Sequence, residues 1–225
     1  MTVQTTSPQD SLVDDWNIDP ETGDLYNFNE DTRKQFATFN NSTGILRFWN
    51  RETVPSVGDK DPEGHNVDSV FTELNYQNDY RSVFKTIASS IKEAIAVDRV
   101  SFTNTSNMFN SCSKLTNLDV SSFNTSNVTS MYSMFSGCSN LTTLDLSSFD
   151  TSKVTSMQYT FYYCYALTTL DLSNFDTSNV TNMEYTFYYC SKLTLDCSHW
   201  NVDKVTKHTD FNFIANNVIP PVWKN

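Results

Sequence analysis

The chain has 225 residues, of which 38% are hydrophobic and 14% aromatic, and its formal net charge is −11. This composition can bury a core, which excludes a disordered protein. No cluster of basic side chains could neutralise phosphates, so we expect neither a nucleic-acid ligand nor attraction to an anionic membrane. No apolar run approaches the roughly 20 residues that a transmembrane helix needs.

The first 90 residues precede a repetitive region and contain a tail and two predicted β-hairpins. Residues 1–13 are polar, and we expect them to be disordered. The hairpins are predicted because pairs of β-prone apolar runs flank turns that end in glycine. Their strands are expected at 16–18 with 25–28, and at 36–39 with 45–49. A loop is predicted to follow over residues 54–66.

Two helices are predicted next, because Val67–Leu74 and Asp79–Ser89 have helical spacing of apolar residues. In the second segment Val83, Phe84 and Ile87 would form one apolar face. Residues 14–90 are therefore predicted to form a small α+β region. We expect it to cap the first coil of the repeats, whose edge would otherwise be open to pairing.

A 26-residue pattern dominates the chain from about Ile91 onwards, and more than half of its positions recur. The unit reads F-x-x-C-S-x-L-T-x-L-D-L-S-x-F-D-T-S-N-V-T-x-M-x-x-x. Equivalent residues 26 apart include Phe109, Phe135, Phe161 and Phe187, then Cys112, Cys138, Cys164 and Cys190, and then Leu115, Leu141, Leu167 and Leu193. A degenerate copy begins the array, and a copy shorter by one residue places Trp200 at the position of Phe175.

Such a repeat predicts a solenoid, because one coil cannot bury its apolar face alone and stacked coils share a continuous core. Leu141, Leu144 and Leu146 have the spacing of a leucine-rich-repeat strand, with Asp145 pointing outward between the last two. We predict a right-handed α/β solenoid over residues 91–213, with a short strand and a short helix or 3₁₀ turn per coil. Residues 214–225 are predicted to form a C-terminal cap.

The unit resembles the BspA-like leucine-rich-repeat surface proteins of bacteria, in the subgroup with 25–26-residue repeats reading LTTLDLSNFDTSNVTNMxxMFxxCSN. The resemblance covers roughly residues 91–213. It differs from the common leucine-rich repeat in one respect, since Phe149 and Phe175 stand where that repeat has asparagine. The resemblance implies a cell-surface or secreted protein that acts in adhesion, and it supplies no catalytic residues.

Two polar sets recur once per coil and have both structural and chemical interpretations. The stacked cysteines fit buried hydrophobic side chains best, with disulfides between coils and metal or redox chemistry as alternatives. Four stacked aspartates would repel one another unless a calcium ion or hydrogen bonds from Ser, Thr and backbone N–H groups offset their charge. These weak calcium candidates are Asp119, Asp145, Asp171 and Asp196. No cofactor is expected.

The candidate ligand contacts are tyrosines concentrated in two consecutive copies. Earlier copies carry serine, asparagine or glycine at the equivalent positions, so the scaffold tolerates small residues there. Tyrosine offers a large contact area at low entropic cost, although packing within the scaffold is the alternative. The candidates are Tyr159, Tyr162, Tyr163, Tyr165, Tyr185, Tyr188 and Tyr189.

Catalysis is not expected, because His65, His199 and His208 accompany no recognisable nucleophile or catalytic motif. We therefore predict a non-enzymatic binding module, a monomer or weakly self-associating chain, that presents a solenoid surface to a protein or glycan ligand. The alternative is a structural or receptor-binding component of a phage tail or similar virion assembly. It is suggested by the N-terminus, which lacks the apolar core of a signal peptide.

Overall fold

The structure is a computed structural model, and it describes residues 16–18, 25–27, 34–72, 74 and 84–224. The chain divides into two compact units, Met1–Arg33 and Lys34–Asn225. In the first unit, β1 (Trp16–Ile18) pairs antiparallel with β2 (Leu25–Asn27), which confirms the first predicted hairpin. The predicted disordered tail, residues 1–13, lies outside the described residues.

The second unit is built almost entirely from short strands and turns. The strands described there are β3 (Lys34–Asn40), β4 (Ile45–Arg51), β5 (Ser69–Phe71), β6 (Glu93–Ala96), β7 (Val100–Ser101), β8 (Asn117–Asp119), β9 (Phe123–Asn124), β10 (Thr143–Asp145), β11 (Thr169–Asp171), β12 (Leu195–Asp196) and β13 (Val218–Ile219). A 3₁₀ turn lies at Ala88–Ser90.

A five-stranded sheet in the order β5-β3-β4-β6-β8 begins the unit. Strands β3 and β4 pair antiparallel, which confirms the second predicted hairpin. Strand β4 then pairs in parallel with β6, and β6 pairs in parallel with β8. The hairpin is therefore continuous with the strands of the first coils, and Phe48 on β4 contacts the rings of Phe102, Phe109 and Phe123 in the repeats.

The two predicted helices in this region are wrong where the structure describes them. Residues 69–71 form β5, because this segment pairs antiparallel with the outer edge of β3. Residues 84–87 form turns that lead into the 3₁₀ turn. Phe84 and Ile87 are buried, as the apolar spacing predicted, while Val83 lies outside the described residues.

The repeats form a β-solenoid of about five turns. One side of the coil carries short parallel strands, in which β10 pairs with β11 and β12 with β13. The return side carries parallel bridges that join Ser130, Ser156, Asn182 and Lys207 in successive coils. Leu144 and Leu146 point inward and Asp145 outward, which confirms the predicted strand pattern.

The predicted solenoid is confirmed, but its α/β character is not, because a series of turns stands where a helix or 3₁₀ turn was expected in each described coil. In the third full coil the buried residues Met157, Thr160, Phe161 and Cys164 have the i, i+3, i+4, i+7 spacing of an amphipathic helix. Between them, however, Tyr159 has a φ angle of 59°. A residue with this left-handed backbone interrupts a right-handed helix.

The core of the solenoid is a column of equivalent side chains. Phe109, Phe135, Phe161 and Phe187 stack with interplanar angles of 8°, 9° and 1° and with centroid distances of 5.9, 5.6 and 5.3 Å. At the far end Trp200 and Phe211 pack on the Phe187 ring. Each coil therefore adds one ring to a continuous apolar column, as expected of a repeat that is stable only when stacked.

Candidate functional site

The predicted tyrosines lie together at one corner of the solenoid, where the chain turns between the return side and the next strand. Each coil reaches this corner with the same backbone, so tyrosines of consecutive coils become neighbours. The N–H groups of Tyr159, Phe161 and Tyr163 donate to the carbonyls of Glu184, Thr186 and Tyr188 in the following coil. We call the seven side chains the tyrosine layer: Tyr159, Tyr162, Tyr163, Tyr165, Tyr185, Tyr188 and Tyr189.

Two positions of the corner have a left-handed backbone in every coil. At the first, Asn107, Ser133, Tyr159, Tyr185 and Asp210 have φ angles of 58°, 52°, 59°, 57° and 50°. At the second, four residues later, Ser111, Gly137, Tyr163, Tyr189 and Ile214 have φ angles of 63°, 75°, 58°, 61° and 64°. Glycine and asparagine adopt this conformation readily, whereas a bulky side chain is strained in it. Four tyrosines therefore occupy positions that the local backbone disfavours for them.

Ring contacts join the layer both along the solenoid axis and across it. Between coils, Tyr159 stacks on Tyr185 at 4.9 Å and 2°, and Tyr162 stacks on Tyr188 at 5.1 Å and 15°. Within a coil, Tyr162 contacts Tyr163 at 4.2 Å. Tyr165 stacks on Tyr163 at 5.2 Å and is exposed, with 42% of its surface accessible.

The layer is half-buried rather than part of the core. Six of its seven members are partly accessible and Tyr165 is exposed, while the neighbouring repeat residues Phe161 and Phe187 are fully buried. Mutual packing partly desolvates the rings, and this desolvation raises the pKa of Tyr162, Tyr165 and Tyr188 above the ordinary value. These three phenols therefore remain neutral hydrogen-bonding groups at physiological pH.

The apolar surface extends beyond the predicted tyrosines into the last coil. Phe213 stacks on Tyr188 at 5.1 Å and 20°, and Ile214 occupies the left-handed position equivalent to Tyr189. Both are exposed, at 45% and 40%. Sequence reasoning missed them because the last copies are shortened, which hides their equivalence to Tyr188 and Tyr189 in a strict 26-residue count.

The four aspartates proposed as weak calcium ligands are held by serine hydrogen bonds. The backbone N–H groups of Ser147, Ser173 and Ser198 donate to Oδ1 of Asp145, Asp171 and Asp196 at 2.8–2.9 Å. Ser121 donates both its N–H and its hydroxyl to Asp119. Asp119 and Asp145 also line one shallow surface cavity.

Each of these aspartates therefore caps its own turn. Hydrogen bonds from the following serine hold the pKa of Asp145, Asp171 and Asp196 below the ordinary value. Among the described residues, no three His, Cys, Asp or Glu side chains lie close enough together to hold a metal ion.

The cysteines are buried free thiols. The Sγ–H groups of Cys138, Cys164 and Cys190 donate to the carbonyls of Phe109, Phe135 and Phe161, at 3.2, 3.2 and 3.0 Å. Each thiol thus joins its coil to the preceding one. Burial raises the pKa of Cys112 and Cys197 to about 12, so these thiols are poor nucleophiles.

The three histidines occupy separate places. His65 lies in a loop, where Nδ1 is 3.1 Å from the buried Asp61 and Nε2 accepts from Arg47 at 3.4 Å. His208 stacks on Trp223 at 4.3 Å and 2°, which ties the C-terminal segment to the last coil. His199 follows β12 in a turn.

These features define a class of protein, namely a repeat protein with a β-solenoid fold and an aromatic surface at one corner. Its sequence matches the family model described as "Mycoplasma protein of unknown function, DUF285", over residues 78–171 and again over residues 103–219. Together the matches cover more than half of the chain, and the protein belongs to this family. The match supports the predicted relation to a surface repeat family, while the particular BspA-like leucine-rich-repeat subgroup stays a prediction.

No curated protein and no solved structure matches the chain. No helix that the structure describes is both long enough and apolar enough to cross a bilayer.

Proposed function

We propose that the protein is a non-catalytic binding module of a bacterial cell-surface or secreted protein, and that the tyrosine layer contacts its protein or glycan ligand. The observation that carries this proposal is the placement of four tyrosines in left-handed backbone, at positions where the first two coils have asparagine, serine or glycine. A scaffold role alone does not require a bulky residue there, because Asn107 and Ser111 make the same turn in the first coil. A contact surface for a ligand would account for the bulky side chains at these strained positions.

The chemistry of the layer supports this proposal. Tyrosine and phenylalanine are enriched in protein interfaces because they combine large apolar area with few rotatable bonds. The exposed apolar residues Tyr165, Phe213 and Ile214 lie on this same corner. Contiguous exposed apolar surface on a protein commonly marks an interaction site. The solenoid holds this surface on stacked coils, so a ligand would meet a preorganised layer.

The test is a binding screen of the whole chain against extracellular-matrix proteins and a glycan array. The matched variant carries Tyr162→Ser and Tyr188→Ser, since serine stands at the equivalent position, Ser136, in the second coil. We expect a ligand of the native chain to bind this variant at least about tenfold more weakly, because central aromatic contacts dominate interface energies.

A control variant changes exposed residues outside the tyrosine layer, with Thr142→Ala and Thr168→Ala immediately before β10 and β11. It should bind as the native chain does. Equal binding by the native chain and the double tyrosine variant would contradict the proposed role of the layer.

A further inference from the structure

The shape and charge of the tyrosine layer indicate the chemistry of its partner, an inference that rests on the proposed function. Its rings form a continuous surface, in which Tyr162 contacts both Tyr159 and Tyr163 within a coil. Tyr159 and Tyr162 stack on their equivalents in the next coil, and Tyr163 contacts its equivalent there at a tilt. Small-molecule pockets, by contrast, are concave and enclose most of their ligand. A continuous layer of rings fits the surface of a macromolecule better.

Two carboxylates adjoin this layer. Asp210 occupies the left-handed position that follows Tyr159 and Tyr185 along the axis, and it is exposed. Glu184 directly precedes Tyr185, and its Oε2 accepts from Gln158 and Asn182 at 3.1 and 3.3 Å. Within the part of the chain that the structure describes, Glu184 Oε1 and both oxygens of Asp210 accept no hydrogen bond. Three carboxylate oxygens are thus available beside the rings.

The fields of these carboxylates reach the phenols. Desolvation and neighbouring phenols raise the pKa of Tyr159, and Glu184 adds to this effect. Desolvation, Tyr163 and Tyr189 raise the pKa of Tyr188, and Asp210 adds to it. The faces of aromatic rings also carry negative electrostatic potential. Residues 207–214, at the corner of the last coil, contain one lysine and no arginine. This lysine, Lys207, is exposed.

We infer that the tyrosine layer binds a cationic segment of a partner protein, whose arginine or lysine side chains pack on the phenol rings and pair with Glu184 and Asp210. Guanidinium and ammonium groups are attracted to aromatic faces, and arginine does this most often. The net charge of −11 attracts a basic partner over distance. The apolar edge at Phe213 and Ile214 would receive the apolar side chains that flank the basic residues.

The experiment measures binding of a fluorescent peptide of alternating arginine and glycine to the full chain by anisotropy. The reference probe alternates glutamine and glycine. We expect the arginine peptide alone to bind, and to bind at least about tenfold more weakly to the Tyr162→Ser, Tyr188→Ser variant. The Glu184→Gln, Asp210→Asn variant should lose several-fold in affinity, and Lys207→Gln should gain affinity.

The matched control removes two charges from the strand side, with Asp145→Asn and Asp171→Asn. It carries the same net charge as the Glu184→Gln, Asp210→Asn variant, so non-specific attraction to an acidic protein would weaken both equally. If the two variants lose equal affinity for the arginine peptide, the inference is overturned. It is also overturned if the Tyr162→Ser, Tyr188→Ser variant binds the arginine peptide as the native chain does.

This inference and the proposed function can fail separately. Suppose that a neutral glycan or an acidic protein binds the native chain but not the tyrosine variant, and that the arginine peptide binds neither. The layer is then a binding site with a different partner. If no ligand distinguishes the native chain from the tyrosine variant, both are wrong.

Discussion

At the scale of the residue, the corner of each coil depends on two backbone conformations that most side chains avoid. Tyr159, Tyr163, Tyr185 and Tyr189 have φ angles between 57° and 61°. Such a conformation costs a residue other than glycine or asparagine of the order of 1 kcal/mol. Stacking between equivalent rings, as for Tyr159 on Tyr185, offsets part of this cost.

A pair of glycine substitutions measures the backbone strain. In Tyr189→Gly, loss of ring contacts is balanced by relief of the left-handed conformation, so we expect the free energy of unfolding to change by less than about 1 kcal/mol. Tyr188 is adjacent and similarly exposed but is not in the left-handed region. Tyr188→Gly should therefore destabilise the chain by about 1–2 kcal/mol more than Tyr189→Gly. Urea denaturation measures both, and equal destabilisation would contradict the strain.

The buried cysteines lead to a second prediction at this scale. Because all five thiols are buried and free, we expect none to react with a thiol reagent at pH about 8 in the native chain. All five should react once the chain is unfolded in urea. A lower count in unfolded, unreduced protein would show disulfides between coils instead.

At the scale of the element, polar side chains inside the coil replace the hydrogen bonds of a helix. The hydroxyls of the buried Thr160 and Thr186 each donate to a carbonyl of their own coil and to one of the preceding coil. On the exposed side, Thr155 and Thr181 donate to the carbonyls of Thr129 and Thr155. The two sets therefore hold adjacent coils together from inside and outside.

Substitution of threonine by the similarly shaped valine separates these two contributions. Thr186→Val should destabilise the chain by about 1–3 kcal/mol, because it leaves the buried carbonyls of Met157 and Met183 without that donor. Thr181→Val, at an exposed position where water can replace the bond, should cost less than about 0.5 kcal/mol. The urea midpoints of the two variants measure the difference. Similar midpoints would mean that the inner hydroxyl is not needed.

The series of turns at residues 157–164 shows why hydrophobic spacing alone cannot predict the local backbone. Met157, Thr160, Phe161 and Cys164 are buried at helical intervals, and apolar spacing alone predicts a helix there. The left-handed residues at positions 159 and 163 are tyrosines, which give no sign of positive φ. Asn107 at the first of these positions and Gly137 at the second are residues that favour this conformation, and each occurs in a single copy.

At the scale of the whole molecule, the stacked architecture was predictable because the repeat itself encodes it. Equivalent Phe, Cys and Leu residues must form columns once the coils stack, and the structure places them so. The hairpins were also predictable from their glycine turns. The continuation of β4 into the solenoid sheet was not, since parallel pairing between β4 and β6 has no local sequence signal. The tyrosine cluster was predictable as a set of positions, but not its exposure or its extension to Phe213.

A further prediction concerns acid and arises from turns repeated along the whole array. Serine hydrogen bonds lower the pKa of Asp145, Asp150, Asp171, Asp176 and Asp196 in the folded chain. Their contribution to stability is fully present above the unfolded value of about 3.8 and is lost as the pH falls through the lower folded values. We therefore expect the urea midpoint to fall as the pH decreases from about 5 to about 2.5.

Asparagine keeps the oxygen that accepts the serine N–H bond but does not titrate. The Asp145→Asn, Asp171→Asn variant should therefore show a shallower decline in urea midpoint over the same pH range. A decline of the same slope would assign the acid sensitivity to other carboxyl groups.

The repetition of the two left-handed positions also has a consequence for protein engineering. Ser133 and Gly137 in the second coil correspond to Tyr159 and Tyr163 in the third. A Cβ added at Gly137 would meet Ser111 Cα at 3.4 Å, which is ordinary van der Waals contact, so the cost of a side chain there is the strain of its positive φ angle. The core column of that coil would not change, so a designer could graft or erase aromatic groups coil by coil. The corner is in this sense an addressable display surface, on which aromatic groups can be exchanged while the fold beneath it is kept.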